Sequence, residues 1–370
     1  MDMRIIAKRH KPLIVHGELI ISYHKNKICS MNLEKGQVKN ICTLPLKPIG
    51  KILSKTRFFE RLLRYEVKAA VELSDTNILV SRLGAIYNIN LENGKIVKEH
   101  TFRKNMNNPY SFTKIAGMKG FTDCILYGEY IGKTNERFSV EIYARDSRTA
   151  EWRKKYSFPI GKIRHIHNIV PDYCNNCVYI LTGDLDNESG IWVTEDDFNT
   201  VLPLLVGSQE YRSVELFPIN KNIFVYATDT ALKDNYIMVC KRIADKTVSV
   251  AKVAELSGSC LSGMSDGVRG FFSTTVENDE RIMGWRSWID YHRSPGIKSE
   301  YAKLISLEFS DLSIKKVIEM KKDFWPCRLM QYGYFVICNV AKLESVIVYP
   351  IAVKKYDAKL LLLEKASCIL

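Results

Sequence analysis

Nowhere in its 370 residues does this sequence hold an apolar run long enough to cross a bilayer as a helix. The opening stretch, MDMRIIAKRHKPLIVHGELI, is basic at its start but lacks both an extended apolar segment and a small-residue cleavage site, so it does not read as a secretory signal. Runs of five or more like charges are missing, which argues against a charged nucleic-acid-binding tail. Neither the G-x-G-x-x-G pattern nor a P-loop occurs, so nucleotide-dependent chemistry is not expected, and serine-hydrolase chemistry is not expected either. Helical periodicity is scarce. Only SKTRFFERLLRYEVKAA, residues 54–70, sets Phe58, Phe59, Leu62 and Leu63 against Arg57, Arg61 and Arg64. That segment predicts a basic amphipathic helix with its apolar side packed on the rim of a sheet. Membrane-surface binding is the competing reading.

Charge is present in excess of one sign. Lys and Arg number 54 against 41 acids, a net charge of +13. Such an excess suits an acidic polysaccharide, a nucleic acid or an anionic membrane surface, with plain solubility as the ordinary alternative. The ten cysteines lie mostly inside apolar stretches, as in Cys124-Ile-Leu and Val-Ile-Cys338. Buried unpaired thiols suit a reducing compartment, and a cytoplasmic location is expected. Cys174-Asn-Asn-Cys177 has metal or redox spacing, but it sits in the turn-rich PDYCNNC without a second such pair, and a hairpin turn is expected there. The loop Asp184-Leu-Asp186-Asn-Glu188 is rich in oxygens without the spacing of a calcium loop, and reads as a solvated turn.

What dominates is β structure: short apolar or alternating runs, separated by Gly, Asn and Asp turns. A unit of strand, turn, apolar strand with a polar end, loop, strand, turn, strand recurs over approximately 10–45, 66–103, 111–159, 164–207, 211–257, 258–323 and 324–370, with a helical insertion near 54–65. Units of this size are propeller blades, so the expected fold is all-β: one domain over 1–370, a seven-bladed propeller with four antiparallel strands per blade.

Aligning the second strand of each unit exposes a pattern. CILYGEY ends at Glu129, VYILTGD at Asp184, IFVYATD at Asp229 and FFSTTVE at Glu277. In a blade the second strand runs back antiparallel to the first, so its end lies beside the first strand's start. RHIHNIV opens the fourth unit with His165 and His167, and alternation sends both side chains to one side. Tyr211-Arg212 opens the fifth. These residues are expected at one mouth of the propeller channel. His165 or His167 is the predicted general base, Tyr211 the proton donor and Arg212 the clamp on a substrate carboxylate. Only one of the adjacent pair Tyr211 and Arg212 should face the site, and Arg212 is preferred. Glu129, Asp184, Asp229 and Glu277, with Arg137 and Asn235, are the predicted substrate-binding residues; ion pairing between the acids and neighbouring arginines is the structural alternative. No cofactor is required by these readings, although a divalent cation near His165, His167 or Asp184 would suit the residue types. Trp285, Trp288 and Tyr291 in GWRSWIDYH offer aromatic surface for stacking on sugar rings, whereas Trp192 is expected in the core.

RHIHNIVPD, TGDLDNESGIWVTEDDF, GSQEYRSVELF, YATDTALKDNYI and YPIAVKKYDAK together resemble Asp-box (BNR, sialidase-like) propeller proteins over about residues 65–360. TEDDFNT matches the Asp-box turn at Thr194, Asp196 and Thr200, with Phe198 where the motif has glycine; YARDSRTAEW is a more degenerate copy with Asp146 and Trp152. The resemblance implies a propeller and a connection with polysaccharide metabolism. The arginine triad and Phe-Arg-Ile-Pro motif of true sialidases are missing, and the nearer analogy is to propeller polysaccharide lyases. The expected function is therefore action on a complex or anionic polysaccharide, as a lyase by β-elimination or as a glycosidase. A non-catalytic propeller scaffold binding a glycan or a protein is the alternative. Nucleic acid is the least favoured partner.

Overall fold

The computed structural model describes residues 3–33, 36–132, 134, 136–244, 247–279, 281–340 and 345–364; Cys368 and the predicted end of the last blade lie outside the described residues. Seven four-stranded antiparallel sheets make a β-propeller, as the repeat pattern predicts. The second strands are the most apolar because both of their faces are covered. Cys177–Gly183 and Ser345–Ile351 are buried at every position, whereas the outer strand Leu202–Val206 is largely exposed. The turn at Thr194 to Thr200 closes on one carboxylate: Asp196 accepts from the Thr200 backbone N–H at 2.9 Å and from its hydroxyl at 2.7 Å. Phe198 occupies the left-handed region (φ 68°) and buries its ring beside Phe121.

The chain divides into two compact units: residues 67–228 with 238–251, and residues 1–66 with 229–237 and 252–370. The first holds the second, third and fourth sheets. Here the inner strands are stitched to their neighbours by polar contacts: Ile166 N–H donates to the Glu129 carbonyl at 3.0 Å, Thr113 Oγ1 to the Ile169 carbonyl at 2.6 Å and Asn168 Nδ2 to the Val214 carbonyl at 3.0 Å.

The other unit holds the first, sixth and seventh sheets. The seventh is completed from the opposite end of the chain. Met3–Lys8 pairs antiparallel with Lys359–Glu364 as its outermost strand, so the last blade is not built from 324–370 alone. The pairing covers the backbone groups of Lys359–Glu364 that would otherwise form the sheet's edge. The insertion after the first blade forms two short helices, Pro48–Leu53 and Arg57–Leu62. Its polarity is partly inverted relative to the sequence reading. Arg61 reaches Asp323 at 2.6 Å, and Arg57 reaches Asp357 at 3.0 Å and Glu66 at 2.5 Å. Phe58 and Leu63 are left exposed. Acids of the neighbouring strands and loops draw Arg57 and Arg61 inward and leave Phe58 and Leu63 outside, whereas Phe59 and Leu62 stay half-buried and Arg64 stays exposed.

Candidate functional site

His165 and His167 lie on the inner strand of the fourth blade, His165–Asp172, which pairs antiparallel with Cys177–Gly183. His165 stands opposite Gly183, so Asp184, the next residue along, arrives beside it. Pairing then skips one residue: Ile166 matches Thr182 and Asn168 matches Leu181, leaving His167 in a β-bulge. A bulge re-aims the side chain it carries, and here it brings His167 Nε2 to 3.2 Å from His165 Nε2. The Ser213 carbonyl lies 3.0 Å from His167 Nδ1. A carbonyl only accepts, so Nδ1 holds the proton and the Nε2 lone pair points into the cluster.

Asp184 completes the group. Its Oδ1 stands 3.1 Å from His165 Nε2, 3.7 Å from His167 Nε2 and 3.2 Å from Arg212 Nη2, and its Oδ2 is 3.8 Å from Arg164 Nε. Both imidazoles are buried, while the Asp184 side chain is 32% exposed, so solvent reaches the cluster from the carboxylate side. Burial lowers the His165 imidazole to about 4, overcoming the pull of Asp184, so the ring is neutral near pH 7. Burial works the other way on Asp184, but the His165 hydrogen bond and the Arg212 charge prevail and hold it well below the usual carboxylate range. His165 Nδ1 is buried with no hydrogen-bond partner.

Surrounding side chains hold this corner in place. Gln209 Nε2 donates to the Asp184 carbonyl at 2.7 Å, and Arg212 Nη1 donates to the same oxygen at 3.2 Å. Tyr130 stacks on His165 with ring centroids 3.9 Å apart; it is set there by the short pair of strands Met106–Asn107 and Tyr130–Ile131. Gly183 has no room for a side chain, since a Cβ there would meet His167 Cε1 at 2.5 Å and Arg212 Cγ at 3.1 Å.

The donor set fits a divalent cation. Ligand atoms about 2.1 Å from an ion in a tetrahedral or octahedral shell stand roughly 3.0–3.4 Å apart, and the three atoms here are separated by 3.1, 3.2 and 3.7 Å. The neutral His165 imidazole and the ionised Asp184 carboxylate are ligands that need lose no proton, and the Ser213 carbonyl supplies the outer hydrogen bond that fixes His167 as a ligating histidine. Among the described residues no other group of three or more His, Cys, Asp or Glu has this convergence.

The remaining predicted residues have these contacts of their own. Tyr211 ends the short turn Gln209–Tyr211 and makes no hydrogen bond with the histidines or Asp184; of the adjacent pair, Arg212 is the one that enters. Glu129 is buried and bound by Arg103, with Nε at 2.7 Å from Oε1, and by the Glu141 backbone N–H at 2.9 Å. Arg137 pairs with Glu188 at 2.6 Å, which makes Glu188 a buried partner instead of part of a solvated turn. Asp229, Asn235 and Glu277 belong to the other compact unit. Asn235 is buried and donates to the Thr230 carbonyl at 2.7 Å, shaping its own loop; Asp229 is buried; Glu277 accepts from the Thr275 hydroxyl. Glu277 also departs from the sequence register. Glu129, Asp184 and Asp229 directly follow their strands, whereas the sixth blade's strand ends at Thr274, three residues before Glu277.

Sequence reasoning did not single out Tyr130, Gln209 or the Ser213 carbonyl. Their only signal was position, one residue after Glu129 and on either side of Tyr211-Arg212. Gly263-Met-Ser-Asp-Gly267 matches G-x-S-x-G by letters, but Ser265 ends a strand and Arg269 begins another, so the strand-to-helix elbow of a serine hydrolase does not form. Cys174 lies in a hairpin turn closed by Asp172, with Cys177 buried, as expected.

No family model matches the sequence, and no curated protein matches it. Solved structures do resemble it. An oligogalacturonate lyase from Vibrio parahaemolyticus aligns with TM-score 0.60 at 10% identity, covering 98% of this chain and 93% of that one. An oligogalacturonate lyase in complex with manganese aligns with TM-score 0.61 at 9% identity, over 99% and 94% of the two chains. A chain of the mitotic checkpoint complex aligns with TM-score 0.55 at 9% identity, over 98% and 90%. At these identities the likeness establishes a shared fold.

Proposed function

We propose that this chain is a propeller lyase acting on uronate-containing oligosaccharides, with its site at the His165–His167–Asp184 cluster. The observation that carries the reading is the convergence of two imidazole Nε2 atoms and one carboxylate oxygen within 3.7 Å, beside the Arg212 guanidinium. The fold likeness to two oligogalacturonate lyases, one of them in complex with manganese, supports the substrate class and the cation.

In this reading His165, His167 and Asp184 hold a divalent cation. Such an ion acts as a Lewis acid on a bound carboxylate and makes the neighbouring C–H more acidic. Arg212 stands beside Oδ1 of Asp184 and Arg164 beside Oδ2, and the two bind the uronate, because a planar guanidinium matches a carboxylate edge. Elimination removes the C5 proton, turns its electron pair into the C4–C5 double bond and breaks the C4–O bond, with a proton delivered to the leaving oxygen. A histidine whose Nε2 lone pair is committed to the cation is not the base for this step. That makes Tyr130, stacked on His165, and Tyr211, adjacent to Arg212, the phenols to test.

One observation favours the non-catalytic alternative. Both histidines are buried with Nε2 turned toward Asp184, so neither offers a free base to solvent. On that reading the cluster binds an anionic glycan without cleaving it. The Thr194–Asp196–Thr200 turn supports an Asp-box type of blade, and the nine described cysteines, all free thiols, support a reducing, cytoplasmic setting.

The test is incubation with oligogalacturonate, with and without manganese, following the ultraviolet absorbance of the new double bond and the heat of binding. An absorbance rise that His167→Ala abolishes supports the lyase. Saturable binding weakened by Arg212→Ala, without any rise, supports the glycan-binding module. Neither signal with any uronate glycan overturns both readings.

A further inference from the structure

The outward apolar side chains of the helical insertion have no part in the lyase reading. In the unit that holds the first, sixth and seventh sheets, three segments come together. Arg64 donates to the Arg328 carbonyl at 3.3 Å, Arg328 reaches the Ser287 hydroxyl, and Phe58 packs on Trp325 with ring centroids 5.4 Å apart. The second half of the insertion, the loop at 281–293 and the segment at 323–328 are thus in contact, and the first helix of the insertion, Pro48–Leu53, directly precedes the part that makes the contact.

This surface is strongly apolar for exposed protein. Ile49 and Ile52 on the first helix are 73% and 65% exposed, and Met283, Trp285 and Tyr291 in the loop are 72%, 70% and 66% exposed. Among the described residues its exposed charges are of one sign. The exposed charged residues of 47–55 are Lys47, Lys51 and Lys55, and those of 281–293 are Arg281, Arg286 and Arg293. The acids of these stretches are withdrawn: Glu60 is buried against Arg9 at 3.1 Å, and Asp290 is buried.

We propose that this surface docks the protein on an anionic lipid bilayer. Exposed tryptophan and tyrosine with aliphatic neighbours and a basic border are what an interfacial membrane site requires: the aromatics sit at headgroup depth, the isoleucines and methionine enter the acyl boundary, and the lysines and arginines meet lipid phosphates. Two features set the occupant. A sugar-stacking surface needs ring faces and gains little from exposed Ile49, Ile52 and Met283. A second copy of the chain would set Lys47, Lys51, Lys55, Arg286 and Arg293 against the same five charges, which repel; the sixth, Arg281, is paired with Asp279 at 2.6 Å.

The experiment is sedimentation of the full chain with vesicles of phosphatidylcholine alone and of phosphatidylcholine with phosphatidylserine, at low and high salt. Binding is expected to the anionic vesicles only and to weaken with salt. Replacing Lys47, Lys51 and Lys55 together by Gln should lower affinity by roughly a hundredfold. Trp285→Ser with Ile49→Ser should abolish insertion, read as loss of the tryptophan emission shift, while the melting temperature stays within a few degrees of wild type, since every replaced side chain is exposed. Equal binding to neutral vesicles, no binding, or binding unchanged in both variants overturns the proposal. So does binding of a uronate glycan that Trp285→Ser abolishes, which would make the surface a sugar subsite.

Discussion

A Cβ placed on Gly183 would stand 2.5 Å from Cε1 of His167. No carbon pair tolerates that distance, so the end of one strand and the bulge of its neighbour can meet only where residue 183 lacks a side chain. Gly183→Ala is expected to push His167 out of line. It should cost about 1–3 kcal/mol in stability and lower divalent-cation affinity at least tenfold, read by denaturant unfolding and by calorimetric titration with manganese. A variant that binds the cation as wild type does would mean that His167 is not a ligand.

A cation that binds only the folded chain stabilises it by mass action. At a concentration about a hundred times its dissociation constant the gain is roughly 2.7 kcal/mol. Manganese or zinc is therefore expected to raise the melting temperature of the wild type, and EDTA to reverse the rise. His165→Ala, His167→Ala and Asp184→Asn should each remove the effect. If all three still respond, the ion sits elsewhere.

Acid should destabilise the cation-free protein through His165. Burial lowers this imidazole from 6.5 in the unfolded chain to about 4 in the folded one. Between those values the unfolded chain binds a proton that the folded chain does not, so stability falls as pH falls from about 6.5 to about 4. The full loss from this group is on the order of 3 kcal/mol. His10 is also lowered to about 4 by burial, so a comparison is needed to isolate His165. Urea unfolding in EDTA at several pH values should show a weaker dependence in His165→Asn than in wild type; parallel curves would contradict the assignment.

Glu129 is expected to serve stability alone. Its carboxylate is buried and held by Arg103, itself partly exposed. Arg103→Leu leaves a buried charge without its main partner and should cost about 2–3 kcal/mol, while cation and glycan affinities stay at wild-type values. A selective loss of glycan binding in this variant would return Glu129 to the site.

Removal of residues 1–8 should open the outer edge of the seventh blade, because Met3–Lys8 covers Lys359–Glu364. The truncated chain is expected to melt far lower than the full chain and to aggregate through the exposed strand, seen by light scattering. A truncated chain with unchanged melting would show that this pairing adds nothing.

The propeller was legible in the sequence because its signals are local. Strand alternation has a period of two residues, turns declare themselves through Asn, Asp and Gly, and the blade repeats seven times. The proximity of His165 to Asp184 was legible for the same reason, since antiparallel pairing within one blade fixes it. The bulge that sends His167 Nε2 to His165 Nε2 was not, because it depends on how the strand packs and not on which residues it contains. Nor could the sequence show that Glu188 captures Arg137, that Asp323 and Asp357 turn the insertion's arginines inward, or that Met3 crosses to Leu363. Each of those pairings joins residues tens to hundreds of positions apart, and charge alone offers several partners for every arginine. Amino-acid order thus determined the strands, their count and the candidate chemistry; tertiary packing decided which charges meet, because burial makes an unpaired charge too costly and leaves each with the partner the fold brings near.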